Sequence, residues 1–155
     1  MRLLGLMSGT SADAVDAVLA QFDGYSNKPK WSLLNYVSVS FPLDIRNAII
    51  NAGQGVPFSG DELLDLTDAI TECYAKAASE CDRHNSAVGV GAHGQTISHR
   101  PPKNNKLGAS LQLLNASLLS KLTNKFVVHD FRSADLAHGG QGAPLVPLAD
   151  EALLG

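Results

Sequence analysis

The chain has 155 residues, of which 45% are hydrophobic, 17% charged and 6% aromatic, and its net charge at pH 7 is −3. This composition is typical of a globular domain and excludes collagen-like and intrinsically disordered chains. A chain of this length buries about 70% of the surface that it exposes when unfolded, so its core needs neither disulfides nor a structural metal. Because no apolar run approaches the roughly 20 residues of a membrane span and no signal-peptide pattern is present, we expect a cytoplasmic protein without a membrane partner.

Charge is unevenly distributed along the chain. No acidic residue lies between Asp82 and Asp130, but six basic residues do: Arg83, Arg100, Lys103, Lys106, Lys121 and Lys125. This asymmetry indicates either an anionic ligand near the window or a solvated basic face. The basic residues are few and no aromatic stripe is interleaved with them, so we expect no nucleic-acid partner.

The cysteines and histidines do not predict a metal site. Cys73 and Cys81 are eight positions apart in a segment with helical periodicity, which suits neither a zinc site nor a CxxC pair, so both are predicted to be buried thiols. His93 and His99 have no third ligand nearby and are predicted to be hydrogen-bonding or structural residues.

The first part of the chain predicts three strands. Residues 2–7 are mostly apolar, residues 13–22 are apolar on both faces, and residues 31–41 alternate at period two. Turn-forming residues occupy the connections at 8–11 and 23–29. The pattern favours a three-stranded antiparallel meander.

Two helices are predicted next. Pro42 suits the first position of a short helix that ends at Gly53–Gly55. Ser59 and Glu62 form a capping box at the start of a longer helix. One stripe of that helix has helical spacing and is predicted to be buried: Leu63, Leu66, Ile70, Cys73, Ala77 and Cys81.

Strands and helices alternate in the following part of the chain. Residues 87–92, 107–114 and 126–129 are predicted to be extended, and residues 115–124 to be a short helix. The meander followed by α/β units predicts an α/β fold with one mixed sheet. The glycine-rich run 139–147 precedes the opening of another helix, which predicts a first domain at 1–138 and, at 139–155, a crossing into a second domain.

The segment Ser8-Gly9-Thr10-Ser11 joins two predicted strands and is rich in small hydroxyl residues. Backbone N–H groups and hydroxyls in such a turn can surround a phosphate, and Asp13 and Asp16 could then approach a phosphate-bound Mg²⁺ through water. The segment is not a Walker A loop, because no Gly-Lys-Ser/Thr is present and a strand follows. A plain hairpin turn is the alternative.

Gly89, Gly91 and Gly94 match a G-x-G-x-x-G pattern, but the pattern does not predict a dinucleotide site. No helix begins at once, and no acidic residue occurs before Asp130. We expect instead a crowded strand followed by a loop at residues 93–96. Gln95 and Thr96 suit sugar hydroxyls there, and the alternative is a loop whose polar groups bond to water or backbone.

Arg132 follows an apolar strand and is a candidate clamp for a carboxylate or phosphate. An internal ion pair with Asp130 or Asp135 is the alternative. The glycines between Gly139 and Pro147 indicate either a hinge or a close approach of the backbone to a ligand.

Three segments, in this order, resemble the anhydro-N-acetylmuramic acid kinase family: residues 5–16, His93-Gly94-Gln95-Thr96 with His99, and Asp130-Phe131-Arg132 running into residues 139–147. The resemblance covers essentially the whole chain. Members of the family are longer, so the resemblance is to their N-terminal domain and the crossing into the second.

The resemblance implies the two-domain, ribonuclease H-like architecture that sugar kinases share with Hsp70 and actin, with ATP held in the cleft between the domains. It implies ATP- and Mg²⁺-dependent conversion of 1,6-anhydro-N-acetylmuramic acid to N-acetylmuramic acid 6-phosphate, with hydrolytic opening of the anhydro bridge, during peptidoglycan recycling. It also implies the residues of the nucleotide motif: Gly9, Thr10, Ser11, Ala12, Asp13, Ala14, Val15 and Asp16.

On the sugar side the resemblance implies His93, Gln95, Thr96, Arg132 and Asp135. It implies no direct metal ligand in this chain, and the catalytic general base is expected beyond Gly155, so the 155-residue chain alone is predicted to be inactive. Ala14 departs from the family pattern, which usually has glycine there. If that position needs a positive φ, alanine costs roughly 1 kcal/mol.

Two other functions remain open at this point. The first is a kinase for another anhydrosugar such as levoglucosan, because the same chemistry works without the N-acetyl and lactyl groups. The second is a non-catalytic binding or assembly module with a kinase-like fold. A homodimer is also possible.

Overall fold

The computed structural model describes residues 1–24 and 29–154, so most of the predicted turn at 23–29 lies outside the described residues. The chain forms strands and helices in the order β1 (Arg2–Ser8), β2 (Ala14–Asp23), β3 (Lys30–Ser40), α1 (Leu43–Gly53), α2 (Gly60–Cys81), β4 (Gly89–Ala92), β5 (Gln95–Arg100), β6 (Ala109–Leu113), α3 (Ala116–Thr123), β7 (Phe126–His129), α4 (Ser133–Ala137) and α5 (Val146–Leu154). The predicted α/β class is confirmed.

The main sheet has five strands in the order β3-β2-β1-β4-β7. β1, β2 and β3 are antiparallel neighbours, whereas β1, β4 and β7 run parallel. This arrangement confirms the predicted meander followed by α/β units in a mixed sheet. In the parallel part, Leu6, Ala92 and His129 lie side by side near the carboxyl ends of their strands.

The prediction of a single sheet is wrong, because β5 and β6 form a second, two-stranded antiparallel sheet. Gly94 has φ +77 and reverses the chain directly after β4, so the loop consists of His93 and Gly94 only. Gln95 and Thr96 therefore begin a strand and are not loop residues as predicted. The polar residues of β5 concealed its strand character, since only Ile97 interrupts them with a large apolar side chain.

The short and the longer helix predicted for this part of the chain are both present as α1 and α2, with small corrections. Pro42 is extended, with ψ 145, and precedes α1 rather than occupying its first position. At α2 the capping box is present: the Glu62 amide donates to the Ser59 hydroxyl and the Ser59 amide donates to the Glu62 carboxylate.

The buried surface of α2 is wider than the predicted stripe. Leu66, Ile70, Ala77 and Cys81 are buried, but Leu63 and Cys73 are only half-buried. The helix packs against both the sheet and α3, so its buried sector also includes Thr71, Tyr74 and Ala78.

One face of the main sheet carries the core, and the opposite face is open. Leu4, Leu19 and Val90 are aligned in register and buried beside α2. The side chains that alternate with them point the other way, and several are large and exposed: Met7, Tyr36, Phe126 and Val128. No helix in the described part of the chain is long and apolar enough to cross a membrane.

Candidate functional site

Three segments meet at the carboxyl ends of the parallel strands. The His93 amide donates to the carbonyl of Leu6 at 3.0 Å, so the residue after β4 lies beside the end of β1. Asp130 follows β7 at the same edge. The turn after β1, the β4–β5 loop and the segment after β7 therefore surround one region, which is where ligands bind in open α/β sheets.

Ser8, the last residue of β1, is fixed to helix α2. Its Oγ lies 2.6 Å from the phenolic oxygen of Tyr74, and both residues are buried. Burial raises the pKa of Tyr74 far above its usual range, so the phenol stays protonated. Sequence reasoning missed Tyr74, although its spacing of four from Ile70 on the buried side of α2 is a signal that could have found it.

The chain reverses between β1 and β2 in a tight turn. The Ala12 amide donates to the Gly9 carbonyl at 3.1 Å, and Ala12 is buried with φ 53. Gly9, Thr10 and Ser11 stay exposed, so their amides and hydroxyls are open to a ligand.

Ala14 and Val15, the first two residues of β2, do not present groups to the turn. Ala14 is a β2 residue paired with Ser40 and does not have positive φ, so the strain expected from alanine at this position is absent. The left-handed residue is Ala12, two positions earlier. Val15 is fully buried in the core and presents no side chain to the turn.

Asp13 and Asp16 already have partners on neighbouring elements. The Asp13 carboxylate accepts hydrogen bonds from Arg46 of α1 at 2.8 and 3.1 Å, and Asp16 accepts one from the Tyr36 hydroxyl at 2.9 Å. Hydrogen bonds from Ser11 and Arg46 hold the pKa of Asp13 below its usual value. Within residues 1–24 and 29–154, no cluster of three His, Cys, Asp or Glu residues could hold a metal ion.

Arg132 joins two parts of the site. Its Nε and Nη2 atoms lie 3.0 and 2.8 Å from His93 Nε2, and Nη1 donates to the carbonyl of Gly142. The ion pair with Asp130 or Asp135, the alternative from sequence, does not form in the described part of the chain. Arg132 therefore links β4 to the glycine-rich segment.

His93 is held in one neutral tautomer by its two partners. Nδ1 lies 2.9 Å from the Gly94 carbonyl and must donate to it, which leaves Nε2 as the acceptor for Arg132. Burial, together with the charge of Arg132, holds the pKa of His93 below its usual value, although the Gly94 hydrogen bond opposes this shift.

Asp135 also holds the glycine-rich segment rather than facing an open pocket. Its carboxylate accepts a hydrogen bond from the Gly142 amide at 2.7 Å. A Cβ at Gly140 would lie 2.2 Å from the Asp135 carboxylate, so glycine is required there. The close approach that explains this glycine is to Asp135 itself.

Gln95 and Thr96 face different neighbours. Gln95 is fully buried and its Nε2 donates to the carbonyls of Gly9 and Thr96 at 3.1 and 3.2 Å. Thr96 Oγ1 accepts a hydrogen bond from Gln112 at 3.3 Å. Gln95 is thus joined to the β1–β2 turn, and Thr96 to β6.

A cavity of about 210 Å³ opens beside this edge of the sheet. Of the five residues predicted for the sugar side, only His93 lines it. Sequence reasoning placed the segment 130–135 at this end of the sheet, and Asp130 and Ser133 of that segment line the cavity. It missed the remaining lining residues, which come from β6, the residue after it and the end of β7: Ser110, Leu111, Gln112, Leu114 and His129. The alternation of Ser110 and Gln112 at period two is the signal that could have indicated a polar strand face.

The mixed sheet, the hydroxyl-rich turn after its first strand and the polar cavity at the ends of its parallel strands define a domain with a sugar-kinase-like fold. The model of the family described as anhydro-N-acetylmuramic acid kinase matches residues 1–155, and the chain belongs to that family.

Curated relatives with that name include proteins from Prochlorococcus marinus strain MIT 9303, 61% identical, Prochlorococcus marinus strain MIT 9313, 60% identical, and Synechococcus sp. strain CC9902, 61% identical. Each match covers 100% of this chain and 41% of the relative. The chain therefore spans about two fifths of the length of these relatives.

Proposed function

We propose that the protein containing these residues is an ATP- and Mg²⁺-dependent kinase that phosphorylates 1,6-anhydro-N-acetylmuramic acid and opens its anhydro bridge with water. The match of the family to residues 1–155 is the observation that carries this proposal. The product is N-acetylmuramic acid 6-phosphate, and the protein acts in peptidoglycan recycling. We place it in the cytoplasm, where its nucleotide is supplied.

The nucleotide phosphates bind at the β1–β2 turn in this proposal. Gly9, Thr10 and Ser11 are exposed, and the turn that holds them is fixed by Tyr74 at one end and by the buried Ala12 at the other. Fixed amides and hydroxyls stabilise phosphoryl charge without having to reorganise during the reaction.

The carboxylates of Asp13 and Asp16 fit a cation held through water rather than by direct ligation. Asp13 stays ionised, because Ser11 and Arg46 lower its pKa, and its side chain is 65% exposed. Mg²⁺ keeps much of its hydration shell, and when bound it neutralises charge on the phosphates.

The sugar binds in the cavity beside His93. Amide, hydroxyl and imidazole groups line it, and these groups pair with sugar hydroxyls as donors and acceptors. Arg132 and Asp135 support this site without lining the cavity. Both are hydrogen-bonded to Gly142, and Arg132 also donates to His93. We propose that residues 139–155 are the crossing between this domain and a second one, and that the general base lies beyond Gly155.

Product analysis by mass spectrometry tests the proposal. The full-length protein, meaning the complete gene product, is incubated with ATP, Mg²⁺ and either 1,6-anhydro-N-acetylmuramic acid or levoglucosan. The proposal predicts a sugar phosphate from the muramic sugar. Product from levoglucosan alone would instead assign a different anhydrosugar, and product from neither would support a binding or assembly module.

A further inference from the structure

Gln95 connects the β1–β2 turn to the second sheet, and this contact has a role of its own. We propose that Gln95 is a positioning residue for the nucleotide turn: its Nε2 holds the Gly9 carbonyl, and its Oε1 accepts a hydrogen bond from an ordered water. This inference rests on the proposed function and moves Gln95 from the sugar side of the site to the nucleotide side.

The orientation of the Gln95 amide is determined by its neighbours. Nε2 lies 3.1 Å from the Gly9 carbonyl and 3.2 Å from the Thr96 carbonyl. Both neighbours are acceptors, so the NH₂ end must face them and the amide cannot be flipped. Oε1 consequently points elsewhere, and it is buried without a donor from the described residues.

Leaving a buried amide oxygen without a hydrogen-bond donor is unfavourable. Because Gln95 is fully buried, the group that donates to Oε1 must be small enough to fit beside it. A water molecule fits this requirement, because it can donate to Oε1 and bond to other polar groups at the same time. A sugar hydroxyl does not reach this position through the cavity described above, since Gln95 is fully buried and does not line it.

The Gly9 carbonyl is held from two sides. The Ala12 amide donates to it at 3.1 Å from within the turn, and Gln95 supplies a second donor from β5. Ala12 has φ 53, a conformation that an alanine adopts only when its surroundings hold it there. Gln95 therefore contributes to keeping the turn in the shape that presents Gly9 to Ser11.

The test compares Gln95→Met with Gln112→Met in the full-length protein. Gln112 lines the cavity, so its variant is a matched substitution on the sugar side. We expect Gln95→Met to raise the Kd for Mg-ADP, measured by calorimetry, at least tenfold and to leave the KM for the sugar within twofold. Gln112→Met should raise the sugar KM and leave Mg-ADP binding unchanged. A Gln95→Met protein with a normal Kd for Mg-ADP, or with only a raised sugar KM, would overturn the inference.

A second variant covers the case in which Gln95→Met does not fold. A buried glutamate has a raised pKa, and in Gln95→Glu only the protonated acid can donate to the Gly9 carbonyl. The affinity of Gln95→Glu for Mg-ADP should therefore rise as the pH falls from about 8 to about 6, whereas the wild-type affinity should change less. The same pH response in both proteins would contradict the role of Nε2.

Two further outcomes separate this inference from the proposed function. Wild-type protein that binds Mg-ADP but phosphorylates no anhydrosugar would reject the proposed substrate and leave the role of Gln95 intact. Wild-type protein that does not bind Mg-ADP would reject both. A crystal structure at a resolution that shows ordered water should contain a water molecule within hydrogen-bond distance of Gln95 Oε1. If no water molecule lies there, that part of the inference is rejected.

Discussion

Arg132 donates two hydrogen bonds to a single atom, Nε2 of His93, from Nε at 3.0 Å and from Nη2 at 2.8 Å. A cation placed this way requires a neutral imidazole, because a protonated ring has no acceptor and carries the same charge. The contact joins the end of β4 to the segment that follows β7. Its integrity therefore depends on the protonation state of one histidine.

Acid pH is predicted to break this contact. Burial and the charge of Arg132 lower the pKa of His93, so the folded protein favours the neutral ring. The stabilisation from this preference is complete above the unfolded pKa of about 6.5 and is lost as the pH falls through the lower folded pKa. We expect kcat/KM for the sugar to fall at acid pH with an apparent pKa below about 6.5.

His93→Gln is the informative variant for this prediction, because a glutamine amide oxygen can accept from Arg132 and does not titrate. Its kcat/KM should stay level through the same acid range. His129→Gln, which changes the other histidine of the cavity, should keep the wild-type decline. A decline that persists unchanged in His93→Gln would contradict the role given to His93.

Substitutions in the β1–β2 turn are predicted to impair nucleotide use without unfolding the protein. A Cβ at Gly9 would meet only Ser11 Oγ at 3.7 Å, which is an ordinary contact. Gly9→Ala with Thr10→Val should raise the KM for ATP or lower kcat sharply, and should change the free energy of unfolding by no more than about 1 kcal/mol. Gly60→Ala, with open space at the start of α2, is the control. Unchanged kinetics in the turn variant would make the segment a plain hairpin.

The glycine-rich segment is predicted to depend on Asp135 as a unit with Gly140. Gly140→Ala forces the Asp135 carboxylate to move away from the Gly142 amide, and Asp135→Ala removes the same hydrogen bond. Each change should lower the free energy of unfolding by about 1 kcal/mol. Both changes break the same hydrogen bond. The free energy of unfolding of the double variant should therefore be no more than about 0.5 kcal/mol lower than that of the less stable single variant.

Thermal unfolding of the four proteins in this cycle gives the coupling directly, and Asp150→Ala, an exposed change in α5, is the control. Strictly additive losses would show that Asp135 and Gly140 act separately.

The elements with strong local signals were predictable, and the contacts between distant segments were not. The capping box of Ser59 and Glu62 predicts the start of α2, and the alternation of residues 31–41 predicts β3. Both signals are encoded within a few neighbouring residues. The contact of Gln95 with Gly9 joins residues 86 positions apart and depends on the reversal at Gly94. No local pattern encodes such a pairing.

The same limit explains the candidate site. Ser8 to Asp16 and the segment after β7 were located from sequence, since each follows a recognisable apolar strand. The strand β6 was predicted to be extended, but its polar face was not assigned to the site, because its own sequence does not show that Ser110 and Gln112 lie beside His93. Asp135 was placed near the sugar, but its partners Gly140 and Gly142 became apparent only from their spatial proximity.

The open face of the main sheet is predicted to make the isolated 155-residue chain self-associate. Met7, Tyr36, Phe126 and Val128 are all large, apolar or aromatic and about half exposed on that face. Contiguous apolar surface of this kind favours association in water. Sedimentation velocity should show a shift to larger species as the protein concentration rises.

Val128→Lys should reduce this association, because it places a charge on the apolar face, on the edge strand β7. Val88→Lys is the matched control, since both valines are 51% exposed but Val88 precedes β4 at the end of the sheet. Equal association in the two variants would show that another surface is responsible. The same pair of variants in the full-length protein tests whether this face takes part in a homodimer.

The central claim is that residues 1–155 supply the nucleotide turn and the sugar cavity, while the general base comes from elsewhere in the full-length protein. Asp13, Asp16, Asp130 and Asp135 each already accept a hydrogen bond from a neighbour within the chain. The pKa of Asp13 is also lowered, which is the opposite of what a base working near neutral pH requires.

Side-by-side turnover of the 155-residue chain and the full-length protein tests this claim most directly. ADP release is measured in a coupled assay at saturating ATP, Mg²⁺ and 1,6-anhydro-N-acetylmuramic acid, with circular dichroism to show that the shorter chain is folded. The account predicts sugar-dependent ADP release from the full-length protein and none above background from the folded 155-residue chain. Turnover by that chain within about tenfold of the full-length protein, equivalent to about 1.4 kcal/mol in the barrier, would place the base inside these residues and contradict the account.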